Sequence, residues 1–184
     1  ERADALAIGP GLGAAPATLA QVRHLLLDSP LPAVIDADAV AAIPAQTARG
    51  PRIATPHAGE LARWTGQPTR TDAARLATAV ETAKRHGITV LAKGAPTFVA
   101  AAEGTVFVNS TGHAGLATAG SGDVLTGVVA GLLAQGVEAT NAAVLGAYLH
   151  GRAAEIATCD RSQRSLLAGD LLLALGFALA ELDA

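Results

Sequence analysis

Residues 33–38 read AVIDAD, a short apolar run that ends abruptly in two carboxylates. Three successive residues without a polar side chain indicate a strand that is buried on both faces, as is typical of parallel sheets. The further strands predicted at 3–8, 52–54 and 88–92 likewise end in glycine-rich or polar residues. In an open parallel sheet, ligands bind beyond the carboxyl ends of the strands. The sequence therefore predicts a ligand site along one edge of a sheet.

Helical segments separate these runs. Thr71 and Asp72 are typical of a helix start, and Gly87 is typical of a helix end. The predicted helices span residues 16–27, 57–64, 71–86, 123–135, 139–157 and 167–182, a short helix after residue 38 runs to 43, and a hairpin is predicted over 98–108. Strands that alternate with helices predict an α/β three-layer sandwich with a mainly parallel sheet. We expect one domain over residues 1–184.

Composition excludes several classes of protein. Of the 184 residues, 51% are hydrophobic and 16% charged, which excludes a disordered chain. A formal net charge of -3 gives no basic surface for nucleic acid or membranes. The most apolar stretch, 171–180, is bounded by Asp170 and Glu181, and is shorter than the roughly 20 residues that a bilayer requires. The single Cys159 excludes an internal disulfide framework and favours a reducing compartment.

The segment TAGSGD, residues 118–123, precedes a predicted helix. Small residues let the backbone approach an anion, and the free N–H groups at a helix start bind it. A carboxylate beside bound phosphate could take a proton from an attacking hydroxyl, so Asp123 is a candidate general base. In the structural alternative, Asp123 is an ordinary N-terminal helix residue.

Three further clusters also allow two interpretations. His57 and Glu60, in the segment TPHAGE, either stabilise a helix start or bind a ligand and a water-coordinated Mg²⁺. Lys93 either ends a strand or faces phosphates together with the N–H groups around Gly94. The loop GPGLG, residues 9–13, is weak evidence alone and is also consistent with a tight turn.

Taken together and in this order, these segments resemble the carbohydrate-kinase-like domain of NAD(P)H-hydrate dehydratases, in the ribokinase-like superfamily. The matching segments are IGPGLG (8–13), VIDADA (34–39), TPHAGE (55–60), KGAPT (93–97), GLATAGSGD (115–123), YLHG (148–151) and LLAGDL (166–171). The likeness extends over nearly the whole chain. It implies a ribokinase-like fold.

The resemblance also implies an activity. Members of the family repair hydrated NADH and NADPH: a nucleotide phosphorylates the ring hydroxyl, and departure of phosphate restores the double bond. Asp123 would be the base, with Gly11 and His57 contacting the same substrate. The adenine nucleotide, here ADP, would be bound by Lys93, Gly94, Ala95, Pro96, Thr97 and Gly122. Glu60 stands where related enzymes carry a glutamate linked to Mg²⁺.

The family pattern also sets expectations for the whole protein. Family domains begin with further strand–helix units, about a third of the domain, so we expect an N-terminally truncated, partial domain. Members usually have Pro where Ala58 stands, Asn where Ala41 stands and Asn-Pro in place of His113-Ala114. The resemblance implies a cytoplasmic homotetramer and an epimerase activity, either fused or encoded elsewhere. A ribokinase-like kinase of a vitamin precursor or sugar, and a non-catalytic nucleotide-binding module, are the alternatives.

Overall fold

The computed structural model describes residues 3–45 and 48–183. Six strands form one sheet in the order in which they occur along the chain. They are β1 (Leu6–Ile8), β2 (Ala33–Ile35), β3 (Arg52–Ala54), β4 (Thr89–Ala92), β5 (Phe98–Ala100) and β6 (Val106–Val108). The first four strands are parallel, and β5 and β6 form an antiparallel hairpin against β4. The sheet is therefore mainly parallel, as predicted.

Six α-helices cover this sheet. They are α1 (Pro16–Asp28), α2 (Ala58–Thr65), α3 (Asp72–His86), α4 (Ser121–Ala134), α5 (Ala139–Ala157) and α6 (Ala168–Ala180). Short 3-10 helices span Ala37–Ala42, Ala114–Ala117 and Gln163–Ser165. Thr71 accepts a hydrogen bond from the N–H of Ala74, and Gly87 ends α3 with φ 64°, so both predicted ends of this helix are confirmed.

The strands have two buried faces, and alternate residues point to opposite sides. Ile35 packs with α1, α2 and α3, whereas Val34 packs with α4 and α5. The connections from β1 to β4 all lie on the first side, which follows from parallel neighbours joined by crossovers of one hand. The C-terminal helices complete the other side, and α6 packs on α5 through Leu171, Ala174 and Ala178. The three predicted layers are present.

Some predicted boundaries are wrong. The first strand begins at Leu6 rather than at residue 3, because it pairs only with the three residues of β2. The segment after Asp36 forms a 3-10 helix, and α4 begins at Ser121, two residues before the predicted start. Within residues 3–45 and 48–183, no helix has the length and apolar character that crossing a bilayer requires.

Candidate functional site

A cleft of about 800 Å³ lies at the carboxyl ends of β3, β4 and β6. Because β6 runs in the same direction as β4, its end lies on the same edge of the sheet. The cleft is lined by residues 93–97, 109–114, 116–118, His57, Ser121, Gly122, Leu125, Ala147, His150 and Gly151. Its volume is in the range of small-molecule sites, which is about 300–1,000 Å³.

Lys93 is held by a buried carboxylate. Its Nζ donates to Oδ1 of Asp36 over 2.7 Å, and Thr126 Oγ1 donates to the second oxygen, Oδ2, over 2.8 Å. Asp36 is 2% exposed, whereas the Lys93 side chain is 20% exposed and lines the cleft. A Cβ at Gly122 would lie 3.4 Å from Lys93 Nζ. The ammonium group therefore lies beside the amino end of α4, where two sources of positive charge favour an anion.

The loop 93–97 is ordered by its own hydrogen bonds. Thr97 Oγ1 accepts from the N–H of Gly94 over 3.3 Å and donates to the Gly94 carbonyl over 3.0 Å. Ala95-Pro96 is a cis peptide. Lys93 N–H donates to the Pro56 carbonyl over 2.9 Å, which joins the loop to the end of β3.

Arg75, on α3, contacts this loop through the Pro96 carbonyl. Its Nη2 donates to the Pro96 carbonyl over 2.5 Å, and its guanidinium lies 5.0 Å from the centre of the Phe98 ring. A Cβ at Gly94 would overlap this guanidinium, so a larger residue there would have to displace Arg75. Arg75 was not among the residues predicted from the sequence. The glycine after Lys93 was the available signal, because it marks a close approach by another group.

His150, on α5, fixes the start of α4. Its Nε2 lies 2.9 Å from the Ser121 carbonyl, and Ser121 Oγ donates to the Leu116 carbonyl over 2.6 Å. The pKa of His150 is lowered to about 4, chiefly by burial and to a smaller extent by the charge of Lys93, although the hydrogen bond to Ser121 opposes the shift. At neutral pH the ring is therefore uncharged and Nε2 carries the proton, because a carbonyl only accepts.

His57 and Glu60 form a reciprocal cap at the start of α2. His57 Nδ1 accepts from the N–H groups of Gly59 and Glu60, at 2.9 and 3.3 Å, and Glu60 Oε2 accepts from the His57 N–H at 2.8 Å. Glu60 Oε1 lies 3.3 Å from His57 Nε2. This is the structural role considered for the pair. His57 is also exposed and lines the cleft, whereas Glu60 is half-buried and does not.

Gly11 and Asp123 lie outside the lining of the cleft. Gly11 belongs to a loop that is fixed at both ends: Gly9 packs against the Asp36 carbonyl with no room for a Cβ, and Gly13 N–H donates to Asp38 Oδ2 over 2.9 Å. Asp123 is exposed in the first turn of α4. Of the predicted residues, the structure thus brings together His57, residues 93–97 and Gly122 around the cleft.

The wall formed by residues 109–117 was not predicted. Asn109 Nδ2 donates to the Ala147 carbonyl over 3.3 Å, and Thr111 Oγ1 donates to the Tyr148 carbonyl over 2.9 Å. Gly151 allows this approach, because a Cβ there would overlap Thr111. The glycine of the segment YLHG was therefore the signal for this contact.

The residues present are compatible with Mg²⁺ that is held mainly by water and phosphate. No group of three or more His, Cys, Asp or Glu side chains able to hold a metal ion occurs among the residues that the structure describes. Mg²⁺ commonly keeps several waters and takes one or two carboxylates plus substrate phosphates. Glu60 would make such a contact through water, because it does not line the cleft and its Oε2 already accepts from the His57 N–H.

Two curated proteins show strong similarity to this chain. It is 47% identical over 186 residues to the bifunctional NAD(P)H-hydrate repair enzyme Nnr of Moorella thermoacetica, covering 98% of the chain and 35% of that protein. It is 42% identical over 167 residues to the ADP-dependent (S)-NAD(P)H-hydrate dehydratase of Neisseria meningitidis, covering 83% of the chain and 55% of that protein. The chain thus spans between a third and just over half of these relatives.

A solved structure and a family model agree with these relatives. The ADP/ATP-dependent NAD(P)H-hydrate dehydratase of Bacillus subtilis, co-crystallised with ATP and Mg²⁺ and soaked with CoA, superposes with a TM-score of 0.89 at 34% identity. The match covers 98% of this chain and 67% of that chain. The family model for NAD(P)H-hydrate dehydratase matches residues 1–175. The chain therefore has the predicted ribokinase-like fold and belongs to the NAD(P)H-hydrate dehydratase family.

Proposed function

We propose that the protein repairs hydrated NADH and NADPH, with ADP as the phosphoryl donor. The ring hydroxyl attacks the terminal phosphorus of ADP, a new O–P bond forms, and AMP leaves. The phosphate ester then loses phosphate from its ring carbon, and the neighbouring ring carbon gives up a proton. The C=C bond of the dihydronicotinamide is thereby restored.

The observation that carries this proposal is the Lys93 ammonium beside the amino end of α4. Gly122, without a side chain, leaves the helix N–H groups and the lysine open to the same anion. Phosphate oxygens of ADP would bind there, and residues 94–97 would contact the rest of the nucleotide. The ADP-dependent relative supports the choice of nucleotide.

The remaining roles concern the hydrated ring and the metal. We assign the general base to Asp123, because its exposed carboxylate has no hydrogen bond or ion pair among residues 3–45 and 48–183. A carboxylate without a competing donor is free to take the proton from the ring hydroxyl. Gly11 and His57 would contact the same substrate. Mg²⁺, when bound, would neutralise phosphate charge, with Glu60 contacting it through water.

The test uses the full-length protein, hydrated NADH, Mg²⁺ and either ADP or ATP. We expect the absorbance of reduced nicotinamide to return only when a nucleotide is present. No recovery with either nucleotide would contradict the proposal. A stable phosphate ester that accumulates without recovery would instead favour a small-molecule kinase.

The proposal includes a homotetramer in the cytoplasm, with an epimerase activity fused or encoded elsewhere. Leu172, Leu173 and Phe177 on α6 are 62%, 79% and 67% exposed, which supports an interface with a second copy. The bifunctional relative supports a fused partner activity. A monomer in light scattering of the full-length protein would contradict the tetramer.

A further inference from the structure

We propose that Asp36 is a positioning residue of the nucleotide site, which acts by holding the Lys93 ammonium against the amino end of α4. The inference rests on the proposed function, in which Lys93 binds phosphate. Asp36 itself does not line the cleft. Its role is therefore indirect, and depends on the group that it holds.

The two oxygens of Asp36 are divided between two elements. Oδ1 accepts from Lys93, at the end of β4, and Oδ2 accepts from Thr126, on α4. Thr126 is 3% exposed and lies one helical turn beyond Gly122. One carboxylate thus fixes the position of the lysine relative to the helix whose first N–H groups would share the anion.

The backbone keeps Asp36 in this position. Its N–H donates to the Ile8 carbonyl over 2.9 Å, and Gly9 packs directly against its carbonyl. The following residue, Ala37, has φ 46°, and is the only non-glycine residue with a positive φ among those the structure describes. A left-handed alanine is unfavourable, so surrounding contacts must hold it there.

Asp36 leaves part of Lys93 available to a ligand. An ammonium has three N–H donors, and Asp36 is the only side-chain partner of Lys93 within residues 3–45 and 48–183. The long flexible side chain is already ordered in the free protein. Nucleotide binding would therefore not lose the conformational entropy of the Lys93 side chain.

The direction in which ADP affinity changes when Asp36 is replaced distinguishes a positioning role from a purely electrostatic effect. Asp36 is a negative charge near a proposed phosphate site, so on Coulombic grounds its removal would tighten ADP binding. If Asp36 acts by positioning, its removal weakens ADP binding even though the site becomes more positive. Asp36→Asn keeps the shape of the side chain and removes the charge that holds Lys93.

The experiment is a double-mutant cycle on the full-length protein, with ADP and Mg²⁺ titrated calorimetrically into wild type, Asp36→Asn, Lys93→Met and the double variant. We expect Asp36→Asn to raise the Kd about tenfold, and Lys93→Met to raise it at least as much. The double variant should bind like Lys93→Met alone. Asp28→Asn, which removes an exposed acidic charge at the end of α1, is the control and should leave the Kd unchanged.

The affinities of these variants distinguish a failure of the positioning role of Asp36 from a failure of the proposed function. If Lys93→Met leaves the Kd unchanged, both the proposed nucleotide site and the role of Asp36 are wrong. If Lys93→Met weakens binding while Asp36→Asn has no effect, tightens it, or adds its full loss in the double variant, only the positioning role is overturned.

A second pair of variants covers the case in which Asp36→Asn does not fold, since it leaves a half-buried ammonium without its counter-charge. Thr126→Val removes the hydrogen bond to Oδ2 and keeps the Asp36–Lys93 pair, and should raise the Kd about threefold. Thr126→Ser keeps the hydroxyl and should bind ADP like wild type. Equal affinity of the two variants would overturn the inference.

Discussion

Two buried or half-buried cations lie at opposite ends of the sheet and differ in how their donors are used. Arg52, at the amino end of β3, is 3% exposed. Its Nε and Nη groups make five hydrogen bonds to four backbone carbonyls, those of Leu26, Ser29, Leu31 and Pro51. All five guanidinium N–H groups are used, and they satisfy carbonyls at the end of α1, in the loop after it and immediately before β3.

Lys93, at the carboxyl end of β4, has one side-chain partner and faces a cleft. Both cations are held in place, but only the lysine keeps donors for another molecule. The comparison separates two uses of buried charge: a cation with all donors paired stabilises the fold, and one with free donors beside a cavity is suited to a ligand. Substitutions at the two ends of the sheet should therefore affect different measurements.

The largest expected effect is at the carboxyl end. Asp123→Asn keeps the size of the side chain but cannot accept the proton of the ring hydroxyl. We expect turnover of hydrated NADH to fall by about 10²–10⁴-fold, with ADP affinity nearly unchanged. Thermal unfolding should shift little, because a charge at an exposed helix start contributes typically about 0.3–1 kcal/mol. Unchanged turnover combined with lower stability would show that Asp123 is structural.

The opposite result is expected at the amino end. Arg52→Met keeps a long apolar side chain and removes every donor, which leaves the carbonyls of Leu26, Ser29 and Leu31 without this partner. The Pro51 carbonyl still accepts from the N–H of Ala33. We expect the free energy of unfolding to fall by roughly 3 kcal/mol, since a buried unpaired polar group typically costs about 1–3 kcal/mol and some of these carbonyls will reach water. Affinity for ADP should remain that of wild type.

The control for Arg52 is Arg23→Met, which removes an exposed arginine from α1. Urea unfolding with equal m-values should show a loss of less than about 0.5 kcal/mol for this variant. Equal losses for the two variants would mean that the Arg52 hydrogen bonds contribute nothing specific. The contrast between the two ends of the sheet would then fail.

The fold was predictable where strands are short and completely buried. Residues 33–35 and 52–54 were predicted with their observed bounds, because each short buried strand stops at a polar residue, Asp36 or Thr55. The long helix 139–157 was also predicted exactly as α5. The first strand was predicted too long, because its register depends on β2 and not on its own sequence.

The site was predictable only where its residues follow strands. Lys93 and His57 come directly after buried runs, so their position at the edge of the sheet could be inferred. Arg75 and His150 lie on helices, 21 residues from Pro96 and 29 from Ser121 in sequence. A polar residue on a helix normally indicates a solvent-facing side. Only the tertiary packing brings Arg75 against the loop 93–97 and places His150 in the wall of the cleft.

Substitution of His150 should have a smaller effect, which concerns the dependence of stability on pH. Its pKa is lowered to about 4 from an ordinary 6.5, chiefly by burial. In the unfolded chain His150 becomes protonated below its ordinary pKa of 6.5, but in the folded protein it stays neutral until the pH approaches 4. The stability that His150 contributes is therefore present above about pH 6.5 and is lost as the pH falls towards 4.

His150→Gln removes this titration and keeps an N–H donor for the Ser121 carbonyl. Between pH 7 and pH 5, the variant should lose about 2 kcal/mol less stability than wild type, as measured by urea unfolding at each pH. His24→Gln, at an exposed position of α1, should follow the wild-type profile. Parallel profiles of stability against pH for wild type and His150→Gln would mean that protonation of the buried ring does not contribute to the loss of stability in acid.

The smallest expected effect concerns the backbone beside Asp36. Ala37 has φ 46°, a conformation that costs an L-residue roughly 1–2 kcal/mol and glycine almost nothing. Ala37→Gly relieves this cost but loses roughly 0.5–1 kcal/mol through the greater freedom of the unfolded chain. The two terms partly cancel, so we expect stability to be unchanged or to rise by at most about 1.5 kcal/mol.

Ala41→Gly gives the matched comparison, because Ala41 lies in the same 3-10 helix, is exposed, and has no positive φ. At Ala41 the substitution only increases the conformational freedom of the unfolded chain, and the free energy of unfolding should fall by about 0.5–1 kcal/mol. Opposite signs, or a clear gap between the two variants, would show that contacts at the carboxyl end hold Ala37 against its own preference. Equal losses would mean that the backbone beside Asp36 is unstrained, and the position of Asp36 would then depend on its side-chain partners alone.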